Sequence, residues 1–162
     1  MFDIVTYGEP VLTQKAEDVT SFGSELEQIV ADMHAAMRLD HGIGLAAPQV
    51  GISKRIFIVG LEDEPLRVFI NPVITGMSKE TSEYEEGCLS FPGLYFNVVR
   101  PAAVEIEAYD IKGKKFQIKA DGLLARVIQH EYDHLEGILF IDRISPVKRA
   151  RALAHYHRML KM

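Results

Sequence analysis

The sequence predicts an α+β fold: small mixed or antiparallel β-sheets packed around a central helix that carries His-Glu-x-x-His, with one helix on its N-terminal side and another at the C-terminal end. Two observations predict it. Strand-like segments follow one another between residues 55 and 120 with no helical pattern between them, which argues against a wound parallel sheet. Helical periodicity flanks that run, over residues 24–39 and 121–135, and returns after Pro146.

Taken in order, Ser24 and Glu27 have the spacing of a capping box, and Leu26, Ile29, Val30, Met33 and Met37 form the apolar stripe of the first helix. Gly42 ends it. The segment from Gly42 to Gln49 reads as a tight turn between helix and strand. Short strands are expected at residues 55–59, 68–74, 95–99, 104–109 and 115–120, with a hairpin turn at Ile111-Lys-Gly-Lys. Cys88, between a glycine and a nearby proline, falls on an irregular turn at the end of a strand. Asp121 caps the second helix. Leu123, Leu124, Val127, Ile128 and Leu135 surround that helix with apolar positions, which makes it central and buried. Ser145-Pro146 starts a terminal helix, residues 147–162, with Val147, Ala150, Leu153 and Leu160 on its docked side.

Composition points to one domain, residues 1–162. A chain of this length buries about 70% of its unfolded surface, and its 48% hydrophobic and 25% charged content is ordinary for a globular protein. No apolar run approaches the ~20 residues of a membrane span. The start, Met-Phe-Asp-Ile, has neither the basic and apolar stretches of a signal peptide nor the Arg/Ser-rich character of an import leader. A reducing, cytoplasmic setting is therefore expected. All 23 acidic residues lie at or before Asp142, whereas residues 143–162 carry Arg143, Lys148, Arg149, Arg151, Arg158 and Lys161. The exposed side of the last helix is thus basic: either an ordinary solvated face or a contact for ribosomal RNA.

The chemistry concentrates in Gln129-His-Glu-Tyr-Asp-His-Leu-Glu-Gly137. His130 and His134 are four apart, on one helical face, so both imidazoles reach one metal ion. Glu131 lies about 100° round the helix, placed to act on a water beside the metal rather than to bind it. Two nitrogen ligands, an open position and a carboxylate base suit metal-assisted hydrolysis. A third ligand is needed. The long protease pattern would put a histidine at position 140, which is Phe140, and no acidic residue follows Asp142. His155 and His157 sit in the basic tail. The remaining candidate is upstream: Cys88, the only cysteine, which is either a metal-binding thiolate or a buried structural thiol. In Gly42-Ile-Gly-Leu-Ala-Ala-Pro-Gln49, small residues leave backbone open to a peptide, and Gln49 offers an amide donor for an oxyanion or for local backbone.

Gly42-Ile-Gly-Leu-Ala-Ala-Pro-Gln49, Glu86-Gly-Cys-Leu-Ser90 and His130-Glu-Tyr-Asp-His-Leu-Glu-Gly137, in that order, resemble the three signature blocks of the peptide deformylase family. The blocks span residues 42–137, and Gly8-Glu-Pro-Val-Leu near the start is similar as well. The resemblance implies hydrolysis of the formyl group from N-formylmethionine at the start of new polypeptides. It implies Cys88, His130 and His134 as ligands of one divalent metal, ferrous iron in cells, with zinc, nickel or cobalt substituting. It implies Glu131 as general base and later proton donor, Gln49 and the Leu89 N–H as oxyanion donors, and Gly44 as a contact for the substrate backbone.

Ile43, Leu89, Leu123 and Val127 lie near the blocks and are candidates to line a methionine slot. Arg126, one turn before His130 where an apolar residue is expected, is placed at the pocket rim. Many family members carry an arginine a few residues after the cysteine block. This chain has Leu94-Tyr-Phe96 there, and its next arginine is Arg100, which puts peptide-backbone binding at that spot in doubt. The alternatives are a metallopeptidase-like enzyme using the same helix and an inactive metal-binding relative.

Overall fold

The computed structural model describes residues 2–162. Met1, part of the start from which the absence of a leader was expected, lies outside the described residues. The first helix, α1, is Ser24–Leu39. Gly23 is its N-cap and no side chain caps it, so the expected Ser24–Glu27 box does not form; Ser24 is already inside the first turn. The other end is a Schellman closure. Gly42 N–H bonds Met37 O at 2.9 Å, His41 N–H bonds Arg38 O at 3.1 Å, and the left-handed residue between them is His41, at φ 57°, rather than Gly42.

Strands β1 Gly44–Ala46, β2 Ile56–Val59, β3 Arg67–Met77, β6 Ala103–Tyr109 and β7 Lys115–Asp121 form one antiparallel sheet in the order β1-β2-β3-β6-β7. Between them in sequence, β4 Thr81–Cys88 and β5 Phe91–Pro101 form a separate antiparallel hairpin. The second helix, α2, is Gly122–Leu135, and the third, α3, is Pro146–Leu160. One strand, β1, was not expected, and β4 was expected only as a strand ending at Cys88. The extent of β4 is hidden because five of its eight residues are exposed and it lacks an apolar alternation. β1 was missed because three residues carry no pattern.

The five-stranded sheet is covered on both faces. Every residue of β2 is buried. Phe57 and Val59 face one way, with Phe69, Val104, Ile106 and the α2 residues Ala125, Val127, Ile128 and Leu135. Ile56 and Ile58 face the other, with Ile70 and the α1 residues Leu26, Val30, Met33 and Met37. Strands buried on both faces read as unbroken apolar runs, which is why Ile56-Phe-Ile-Val59 lacks alternation. A third cluster ties Leu12, Phe91, Leu94, Val98, Phe140 and Tyr156 under the hairpin. It docks α3 through Ala152, Leu153, Tyr156 and Met159. Of the expected docking residues only Leu153 takes part; Val147, Ala150 and Leu160 are exposed.

The end of α2 brings its last turn against the N-terminal segment. Gly137 is left-handed, at φ 73°, and a Cβ there would come within 2.8 Å of the Thr13 backbone. Ile138 N–H closes the helix on Asp133 O at 2.9 Å. Ala16 N–H then bonds Leu135 O at 2.8 Å. No helix of the described residues is long and apolar enough to cross a membrane.

Candidate metal centre

Three elements meet at the floor of a cavity of about 600 Å³. α2 supplies His130, Glu131 and His134; the tip of the β4–β5 hairpin supplies Cys88 and Leu89; β1 and the 3₁₀ turn Ala47–Val50 supply Gly44 and Gln49. Cys88 is the last residue of β4, and the pairing register breaks between Gly87 and Cys88, which turns the thiol out of the hairpin ladder. Its Sγ lies 3.4 Å from His134 Nε2. One ligand atom each from Cys88, His130 and His134 fall within 4.8 Å of one another, and both imidazoles are buried.

This donor set fits a metal. One soft thiolate and two imidazoles are ligands that zinc, iron and nickel accept, and three protein donors leave a coordination position open. The orientation of His130 is fixed from behind: Nδ1 donates to Glu86 Oε1 at 2.9 Å, which turns Nε2 toward Cys88 and His134. His134 stays neutral, held well below the usual imidazole pKa by burial and by His130 and Arg100. For His130, burial favours the neutral ring, but Cys88 and Glu86 outweigh it and raise the pKa well above the usual value.

Glu131 is buried, and its Oε1 has no hydrogen-bond partner among the described residues. Burial pushes its pKa to about 7, with the Glu86 charge adding to the shift and His130 opposing it. A buried carboxylate with a free oxygen beside three converging donors is costly unless something else completes it. Gly44 makes room for it: a Cβ there would stand 2.6 Å from Glu131 Oε2 and 2.7 Å from Val127 Cγ1.

Gln49 is buried and its amide is oriented without ambiguity. Oε1 accepts Ala46 N–H at 3.0 Å, so Nε2 points at Ser90 Oγ, 3.2 Å, and Cys88 Sγ, 3.6 Å. It therefore serves local backbone and faces the Cys88 sulfur at once. The N-terminal segment clamps both loops, with Val5 N–H on Gln49 O at 2.7 Å and Tyr7 N–H on Ser90 O at 2.9 Å. The Leu89 N–H has no backbone partner among the described residues.

Ile43, Leu89, Leu123 and Val127 all line the cavity. Ile43 and Leu123 are 43% and 44% exposed, so they form its mouth, whereas Val127 is buried. Tyr95 is exposed and lines the cavity against Gly87; Leu94 and Phe96 turn away, Phe96 stacking on Phe140 at 4.3 Å. Phe140 itself packs beside His130 at 5.7 Å, filling the protease ligand position with core. His155 and His157 stay exposed on α3.

Arg126 corrects the sequence expectation in part. It lines the cavity, but it is buried at 6% exposure rather than standing at the rim, and its donors go to Glu86, Val98 O and Ser82. Glu86, Arg100 and Asp133 had been given no role. Arg100 bonds Glu86 at 2.6 and 3.0 Å and Asp133 at 2.9 Å, and Arg143 bonds Asp133 at 2.7 and 2.9 Å. Burial raises the Glu86 pKa, but hydrogen bonds from His130 and Arg100 more than offset it and hold the carboxylate well below its usual range. The available signal was position alone: Glu86 and Asp133 stand inside the cysteine and histidine blocks.

Comparison with known proteins follows the same outline. The model of the polypeptide deformylase family matches residues 1–150. The peptide deformylase of Treponema pallidum (strain Nichols) is 51% identical over 149 residues, covering 92% of this chain and 91% of that protein. That of Acinetobacter baumannii (strain SDF) is 44% identical over 164 residues, covering 99% and 93%. Among solved structures, the peptide deformylase of Thermus thermophilus superposes with a TM-score of 0.92 at 40% identity, covering 98% of this chain and 94% of that one. A peptide deformylase from Synechococcus elongatus in complex with actinonin gives 0.91 at 43% identity, covering 95% and 86%.

Proposed function

This chain belongs to the polypeptide deformylase family and hydrolyses the formyl amide of N-formylmethionine on newly made polypeptides; from that premise we propose that Cys88, His130 and His134 hold its metal and that Glu131 moves the protons. The family is metal-dependent. The observation that carries the assignment is the convergence of three ligating atoms within 4.8 Å beside a buried carboxylate with an unpartnered oxygen.

A divalent ion bound there supplies a Lewis acid and lowers the pKa of water to about 7. Ferrous iron is the proposed native metal, with zinc, nickel or cobalt able to substitute. Glu131 takes the proton of the attacking water and returns it to the departing amine, and a carboxyl pushed up to about 7 suits exchange in both directions. Gln49 Nε2 and the Leu89 N–H face the developing negative charge on the formyl oxygen. Both are held before substrate arrives, Gln49 by Ala46 and Leu89 by the hairpin tip, so little reorganisation is needed. Gly44, on the unpaired edge of β1, lies where a substrate backbone can run alongside the strand. Val127 at the base, with Leu89, Ile43 and Leu123 toward the mouth, offers an apolar slot of the size and adaptability a methionine side chain needs.

Location in the cytoplasm and contact with the ribosome through the basic face of α3 complete the proposal. Lys148, Arg151, Arg158 and Lys161 are exposed along that helix. A peptidase reading is disfavoured because Phe140 occupies the position of the downstream ligand. The two separate experimentally: with formyl-Met-Ala-Ser and Met-Ala-Ser side by side, formate release from the first and no peptide-bond cleavage in either is expected. Cleavage of the unformylated peptide would overturn the assignment.

A further inference from the structure

The two elements that contribute ligands, the hairpin and α2, are joined by a buried side chain in the cavity wall whose hydrogen bonds all go to the hairpin. Arg126 stands on α2 one turn before His130. Its Nη1 donates to Glu86 Oε2 and to Val98 O, both at 2.8 Å. Its Nη2 donates to Ser82 O at 2.8 Å and Ser82 Oγ at 3.0 Å. The guanidinium therefore reaches β4 at two places and β5 at one, and all four contacts are to the protein itself. The same Glu86 carboxylate holds His130 Nδ1 through its other oxygen. On the far side Arg100 binds both Glu86 oxygens and Asp133, three residues after His130. The carboxylate that aims the imidazole is thus tied back to the imidazole's own helix from both directions.

Stability alone does not call for this arrangement. Replacing a buried ion network by apolar residues of similar volume is often neutral or favourable. What the network adds is register: it fixes where the hairpin, and Cys88 at its tip, sits relative to the helix bearing the other two ligands. A lysine cannot reproduce it, because a single ammonium does not span Glu86, Val98 and Ser82 at once.

We propose that Arg126 is a positioning residue of the metal centre, aiming His130 through Glu86 and holding the Cys88-bearing hairpin in register with α2. This rests on Cys88, His130 and His134 being the metal ligands. The test uses the full chain with metal removed, titrated with Co²⁺ while the visible absorption of the cobalt–thiolate centre is followed. Wild type is expected to bind one Co²⁺ per chain. Arg126→Met is expected to weaken Co²⁺ binding by about 10–100-fold and to shift the absorption bands, as loss of groups behind a ligating histidine does. Arg126→Lys, which keeps the charge but not the fork, should fall between. A folded Arg126→Met with Co²⁺ affinity within twofold of wild type and an unchanged spectrum, even at a lower Tm, would show a purely structural role and overturn the proposal. If Arg126→Met does not fold, Arg126→Lys decides: roughly threefold or greater weakening is expected, and unchanged affinity and bands overturn it. Wild type that binds no cobalt would overturn the metal assignment itself, a separable failure.

Discussion

At the scale of single residues, the site depends on how each group is held. Gln49 Nε2 is oriented by an Ala46 contact that does not involve substrate. Gln49→Ala should lower kcat by about 10²–10³, roughly 3–4 kcal/mol, with KM little changed, as removing one oxyanion donor does. Steady-state kinetics at full metal content would check this; an equal loss placed wholly in KM would contradict it. Gly44 acts through the space it leaves. In Gly44→Ala the new Cβ must displace the Glu131 carboxylate or Val127, since both lie under 3.0 Å away. Activity should fall by at least about tenfold, as mispositioning of a reacting group does, while metal content measured on the same sample stays at one per chain. The motif residues were legible because their chemistry is local: four-residue spacing puts two histidines on one helix face, and a lone cysteine next to glycine stands out. The contacts that Arg126 makes were not legible. Its partners Val98, Glu86 and Ser82 are 28, 40 and 44 residues away in sequence, and no spacing rule points to them.

At the scale of elements, what could be read followed burial. α1 and α2 bury a defined face, so their periodicity marks them. The hairpin does not: β4 exposes five of eight residues and β1 is three residues long, and both are defined by pairing across the fold rather than by their own pattern. The stripe on α3 was misjudged for a related reason. Tyr156 and Met159, which look like surface residues in a basic helix, dock under Phe91 and the hairpin. Removing residues 147–162 therefore takes away part of a core cluster as well as the basic face. A gentler test replaces Lys148, Arg151, Arg158 and Lys161 by glutamine. That variant should keep its Tm and its activity on short peptides, yet co-sediment with ribosomes less, and the difference from wild type should shrink as salt is raised. Equal co-sedimentation at low salt would sink the ribosome contact.

At the scale of the whole molecule, the sheet packs between α1 and α2, and the hairpin meets this frame through a buried ionic cluster and an aromatic cluster. A metal shared between the hairpin and α2 adds a cross-link that exists only in the folded state. Stripping the metal with a chelator should lower Tm by on the order of 10 °C, the shift expected when a ligand held at about a thousandfold above its Kd is removed from a domain of this size; differential scanning calorimetry reads it directly. The central claim is that this scaffold hydrolyses a formyl amide with Glu131 as its proton carrier. The most direct test is anaerobic turnover of formyl-Met-Ala-Ser by wild type and Glu131→Gln, with metal determined on both samples. Formate release by wild type, reduced by roughly 10²–10⁴ or more in Glu131→Gln at equal metal content, is the predicted result. Comparable turnover by the two proteins at equal metal would contradict it.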